Sequence, residues 1–268
     1  MRVLSYTVSF AVAAYLIAAL ALYLMQDDML LPSTPKAADL RDAAHTGSSI
    51  DLWHVRGNYA GYIITPTTRQ PRGTFIVFHG NEESAETKLP LADVFVQAGY
   101  RVLVVEYPGH GNRPGERTMQ AALDASRDAL ADTVARWPGP VYLAGESLGA
   151  GMASQVVRGQ EAAVAGVVLI TPWDSLASVA AEKYPVFPVR LLLHDGFDSV
   201  AALSRYHGPL VIIGAQQDTL IPVMHARRFA GQHDLAKLML LPNADHDSWF
   251  DAMTPQRWQQ VMQWMGAA

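Results

Sequence analysis

Hydrophobic and polar positions follow three different patterns along this chain. From Val3 to Met25 no charged residue interrupts the run VLSYTVSFAVAAYLIAALALYLM, 23 residues long. Roughly 20 apolar residues suffice for a helix to cross a hydrocarbon core, so this length predicts a membrane-spanning helix. Tyr6 and Tyr23 fall near the two interfaces, where tyrosine is favoured. A cleaved signal peptide is the rival reading, because Ala19-Leu20-Ala21 offers a small-x-small site. The apolar run continues past it through Leu22, Tyr23, Leu24 and Met25, which favours an uncleaved signal anchor over residues 1–26. Arg2 precedes the span, and the positive-inside rule then puts residues 27–268 on the extracytoplasmic side.

Beyond residue 26 short apolar runs alternate with helix-length segments. Tyr59–Thr65, Thr74–His79, Arg101–Tyr107, Val141–Gly145, Val164–Thr171, Leu210–Gly214 and Lys237–Leu241 are nearly all apolar, as strands buried on both faces of a parallel sheet should be. Asp51–Val55 reads as an extra edge strand. Helices are expected over Ser84–Ala98, Thr118–Trp137, Leu148–Gly159, Pro222–Gly231 and Thr254–Met265. In the last, Thr254 reads as a cap and Pro255 as the first helical residue. Such strand–helix repetition predicts one α/β domain with a mostly parallel, doubly wound sheet. The stretch Pro172–Gly208 exceeds an ordinary crossover and reads as a short lid over about 173–208.

Composition narrows the possible partners. Half of the residues are hydrophobic and 17% are charged, which fits a large buried core and excludes general disorder. The net charge is -5, with no basic stripe of the kind nucleic acids require. Without cysteine there is no disulfide, thiolate metal site or thiol nucleophile. Residues 27–268 carry 19 basic against 25 acidic residues and have no electrostatic reason to bind anionic headgroups. Membrane attachment is therefore expected to rest on the N-terminal helix alone.

The candidate chemistry sits at strand ends. Gly145-Glu146-Ser147-Leu148-Gly149 follows an apolar strand and opens a helix, the context in which G-x-S-x-G presents a serine nucleophile on a tight turn. A serine needs a base, and the base needs an orienting acid. His246, between the last strand and the last helix, is the candidate base. Asp218, after the strand Leu210–Gly214, is the candidate acid, with Asp174 as runner-up or as a helix cap. Asp245 and Asp247 lie too near His246 in sequence to orient it. His194, His207, His225 and His233 read as solvent-facing, and His79, at a strand end, as structural. Main-chain N–H groups of Leu148 and Asn81 are the candidate oxyanion donors, Gly80 letting the backbone approach closely.

These motifs together resemble the α/β-hydrolase superfamily, and within it the membrane-anchored group related to BEM46 and the α/β-hydrolase domain-containing proteins. The likeness is carried by Phe78-His79-Gly80-Asn81, Glu106-Tyr107-Pro108-Gly109-His110-Gly111, Gly145–Gly149, and Asp218 through Pro222 with His246. Lys183–Arg190 and Asp28–Pro32 resemble the group's segments before the acid strand and after the span. The resemblance implies Ser147 as nucleophile, Asp218 as acid, His246 as base, and Asn81 and Leu148 as oxyanion donors. It also implies hydrolysis of esters, thioesters or amides without metal or organic cofactor. An acyl or lipid-like ester is the expected substrate, since a tether and a lid bearing Phe187, Leu191, Leu192 and Leu193 suit an acyl chain. A serine peptidase or amidase of the same fold, and a catalytically silent membrane-tethered binding module, are the alternatives.

Overall fold

A computed structural model describes residues 2–34 and 47–268. Helix α1 (Arg2–Leu30) is the apolar N-terminal segment, and its stretch Tyr6–Leu30 is long and apolar enough to cross a membrane. The helix continues past the last apolar run because Gln26, Asp27 and Asp28 make bonds to the body of the protein. Gln26 is buried, Asp28 pairs with Arg117 at 2.9 Å, and the Leu31 carbonyl accepts from Arg117 at 2.8 Å.

Among the described residues eight strands form one sheet. They are β1 (Ser48–Val55), β2 (Asn58–Pro66), β3 (Thr74–Phe78), β4 (Arg101–Val105), β5 (Val141–Glu146), β6 (Gly166–Ile170), β7 (Leu210–Ala215) and β8 (Ala236–Leu241). Their spatial order is β1-β2-β4-β3-β5-β6-β7-β8. From β4 to β8 all neighbours are parallel, while β2 pairs antiparallel with both β1 and β4. The central strands are buried along their whole length, as their uninterrupted apolar sequences require.

Alternate side chains of those strands feed two separate cores. Ile76, Phe78, Leu103, Leu143, Leu169 and Ile212 face a layer containing α3 (Met119–Arg136), α4 (Leu148–Val157) and α8 (Met224–Gly231). Phe75, Val77, Val102, Tyr142, Val168 and Val211 face α2 (Leu89–Gln97) and α9 (Pro255–Trp264). The Thr254 hydroxyl caps α9 by accepting from the Arg257 N–H. The segment expected as one helix over 84–98 is split into a 3₁₀ turn, Ala85–Lys88, and α2, with Pro90 in the first turn of the latter.

Between β6 and β7 the chain leaves the sheet and forms α5 (Leu176–Lys183), α6 (Val189–Leu192) and α7 (Ser199–Leu203). This excursion reaches α1. Phe187 stacks on Tyr15 with ring centroids 5.1 Å apart, and the Tyr15 hydroxyl donates to the Val186 carbonyl.

Candidate active site

Because β3, β5, β7 and β8 run parallel, the loops that follow them emerge at one edge of the sheet. The turn after β5 carries Ser147, whose backbone sits at φ 53°, ψ -114°. That left-handed conformation is costly for a residue with a side chain and has to be enforced by its surroundings. The enforcement is steric. A Cβ on Gly145 would lie 2.1 Å from the Gly149 carbonyl oxygen, and one on Gly149 would lie 2.2 Å from the Phe78 carbonyl oxygen. The two glycines thus let strand, turn and helix pack against β3 with no room for a methyl group.

Asp218, in the loop after β7, accepts from the Leu220 and Ile221 N–H groups at 2.9 and 2.7 Å through one oxygen. Its other oxygen is 2.7 Å from His246 Nδ1. A carboxylate only accepts, so Nδ1 carries the proton and Nε2 presents its lone pair. Nε2 lies 3.0 Å from Ser147 Oγ. The loop bearing His246 is tied to the acid's loop by Gln217 N–H to the Ala244 carbonyl at 2.9 Å. Burial disfavours a charged imidazole, but the hydrogen bond and charge of Asp218 outweigh it. With Glu146 and Asp247 adding to the effect, the pKa of His246 stands above its ordinary value.

The serine, the histidine and the aspartate are brought into one hydrogen-bonded line, and Asn81 and Leu148 line the same cleft as Ser147. The walls of the cleft include Met29 and Leu30 from α1, Leu176 and Val179 from α5, and Leu220.

Residues 69–194 match the family described as Serine aminopeptidase, S33. An uncharacterized protein of Mycobacterium tuberculosis, Rv2307c, is 30% identical over 176 residues, 64% of this chain and 62% of the relative's length. Human monoglyceride lipase is 27% identical over 164 residues, covering 59% of this chain and 52% of the lipase. Among solved structures, the Pyrococcus furiosus esterase Pf2001 superposes with a TM-score of 0.67 at 16% identity, covering 88% of this chain and 95% of that one. The chain has the α/β-hydrolase fold.

Against that fold, two clusters stand out that the sequence reading missed. His225, expected in solvent, is completely buried. It lies 2.8 Å from Asp174 and 3.3 Å from Glu182 on α5, while Arg228 holds the second Asp174 oxygen at 2.8 Å and Glu182 at 3.2 Å. Asp174 is neither the partner of His246 nor a simple cap. It anchors this cluster, and despite burial the His225 and Arg228 contacts and the Ser175 N–H hold its pKa down to about 2. The available signal was the spacing of His225 and Arg228, one turn apart on α8. His233 is also partly withdrawn from solvent, its Nε2 2.9 Å from the Tyr206 carbonyl, whereas His194 and His207 are exposed as expected.

The second cluster lies behind the serine. Glu146 is buried and pairs with Lys88, which also contacts Glu83 at 2.6 Å. Burial works against the charge on Lys88, yet the Glu146 and Glu83 carboxylates hold its pKa above the ordinary value. Trp249 Nε1 donates to the other Glu146 oxygen at 2.7 Å. The residue before Ser147 is thereby fastened to the loop that carries His246. A glutamate ending an apolar strand was the sequence signal, since a buried charge demands a partner. His79 is fully buried, 3.0 Å from Glu106, in keeping with its structural reading.

Proposed function

We propose that the protein is a membrane-anchored serine hydrolase that cleaves carboxylic esters through an acyl-enzyme. The observation that carries this reading is the hydrogen-bonded line from Asp218 through His246 to Ser147, with 2.7 and 3.0 Å contacts. In the forward step His246 Nε2 takes the proton of Ser147 as Oγ bonds to the acyl carbon. The carbon–oxygen bond to the alcohol then breaks, and the alcohol leaves with the proton held by His246. Water, deprotonated by the same imidazole, attacks the acyl-serine and releases the carboxylic acid. The N–H groups of Asn81 and Leu148 serve the tetrahedral oxyanion, each worth about 3–4 kcal/mol in comparable sites. Asp218 holds the ring and stabilises its charged form. Helix α1 acts as the membrane anchor, with the hydrolase domain on the extracytoplasmic side.

The matched family's description keeps a peptidase in view. An aminopeptidase needs a carboxylate to hold the free amino terminus of its substrate. The described residues lining the cleft at Ser147 include no aspartate or glutamate, and Lys183 is the charged residue there. Such a lining favours an uncharged acyl group. The test is covalent labelling by an organophosphonate ester. The unmodified chain should be labelled once and Ser147→Ala should not, and labelling of the variant to the same stoichiometry would overturn the assignment. Turnover of aminoacyl amides exceeding that of acyl esters would favour the peptidase.

A further inference from the structure

The N-terminal helix does more than precede the domain. Leu22, Gln26, Met29 and Leu30 share one face of α1 and, with Val189, Leu192 and Leu193 of the lid, line a second cavity. This cavity and the cleft at Ser147 share Met29, Leu30, Leu176, Ala180 and Tyr184 as walls, so the two adjoin. The helix–lid joint consumes the polarity of Gln26. Its amide nitrogen donates to the Tyr23 and Leu192 carbonyls at 2.8 and 3.0 Å, and its oxygen accepts from His194 N–H at 2.8 Å. What remains facing the cavity is almost entirely hydrocarbon. From Leu22 to Leu30 the helix rises about 12 Å, the extent of an extended acyl chain of roughly ten carbons.

The position of the lid along α1 says where this cavity opens. Phe187 and Val186 meet the helix at Tyr15, about 22 Å before Leu30 along the helix axis. Only about 14 Å of helix separates Tyr15 from Tyr6, less than half of a hydrocarbon core about 30 Å thick. An α1 that crosses the bilayer therefore carries the lid edge into the same hydrocarbon layer. Val186 and Leu191 at that edge are 70% and 83% exposed, which suits lipid rather than water.

Resting on the ester-hydrolase and membrane-anchor readings above, we infer that α1 forms one wall of an acyl-chain site. This site runs from Ser147 between α1 and the lid and opens inside the bilayer, so the substrate class is a long-chain acyl ester drawn from the membrane. The helix would then be part of the binding site.

The full chain, reconstituted in phosphatidylcholine nanodiscs, is assayed on p-nitrophenyl butanoate and dodecanoate. Ala180→Trp and Leu22→Trp fill the cavity from opposite walls. Each should lower the dodecanoate-to-butanoate ratio of kcat/KM about tenfold or more, chiefly by raising KM for the long ester. Val134→Trp, on an exposed face of α3, should leave the ratio unaltered. An unaltered ratio in both cavity variants, with butanoate still cleaved, overturns the acyl site and spares the hydrolase reading. No Ser147-dependent cleavage of any ester by the unmodified chain overturns both. Because the chain lacks cysteine, Leu191→Cys can carry a single environment-sensitive fluorophore. Its emission should shift to the blue in the nanodisc and be quenched by lipids spin-labelled on their acyl chains; a water-like, unquenched emission overturns the opening into the bilayer.

Discussion

At the scale of single residues, the decisive balance is the one at His246. A general base must be unprotonated, and Asp218 raises the pKa of this imidazole. Hence kcat/KM for a neutral ester should rise with pH through a midpoint above 6.5 and then level off. A midpoint below that value in a stopped-flow profile would contradict the proposed pairing. Asp218→Asn removes the charge and the acceptor that fixes the tautomer, and kcat should fall by roughly 10⁴, with the midpoint moving down. Ser147, Asp218 and His246 were legible from the sequence because each lies next to a strand end that the apolar pattern marks. The burial of His225 was not, since its partners Asp174 and Glu182 lie on other elements, about fifty and forty residues away in sequence.

At the scale of elements, charged side chains join pieces that the hydrophobic pattern leaves independent. Glu182 on α5 meets Arg228 and His225 on α8, so the lid is clamped to the body of the domain through Asp174. Asp174→Ala strands a buried imidazole and a guanidinium without their shared carboxylate, and should cost about 2–4 kcal/mol in equilibrium unfolding. A loss within experimental error would mean that packing alone holds the lid base. Helices and strands came within a few residues of expectation wherever period and caps agreed, as in α9 with Thr254 and Pro255. Agreement was poorer over 84–98, where Pro90 favours a fresh helix start and the preceding turn tightens to 3₁₀.

At the scale of the whole molecule, the sheet brings the candidate site to one edge, and α1 and the lid contribute walls to its cleft. Attachment through a buried apolar helix differs physically from attachment by charge. Residues 27–268 are net acidic, so if α1 is the anchor proposed above, high salt, which screens surface charge, should not release the full chain from anionic vesicles, whereas detergent should. Recovery of the intact chain in a salt wash, judged by sedimentation and mass, would remove α1 from its proposed role.

Local order is what the sequence by itself determined. The apolar runs named the strands, the glycines at 145 and 149 marked a turn too tight for side chains, and the uncharged N-terminal run specified a helix of membrane length. These are short-range properties, fixed by steric and solvation effects within a few neighbouring residues. The tertiary structure decided which buried charges share a partner, how Glu146 and Trp249 tie the serine turn to the histidine loop, and that the lid rests on α1 at Tyr15. Those contacts join residues tens to more than a hundred positions apart, and their geometry exists only once the sheet has set the distances between its loops.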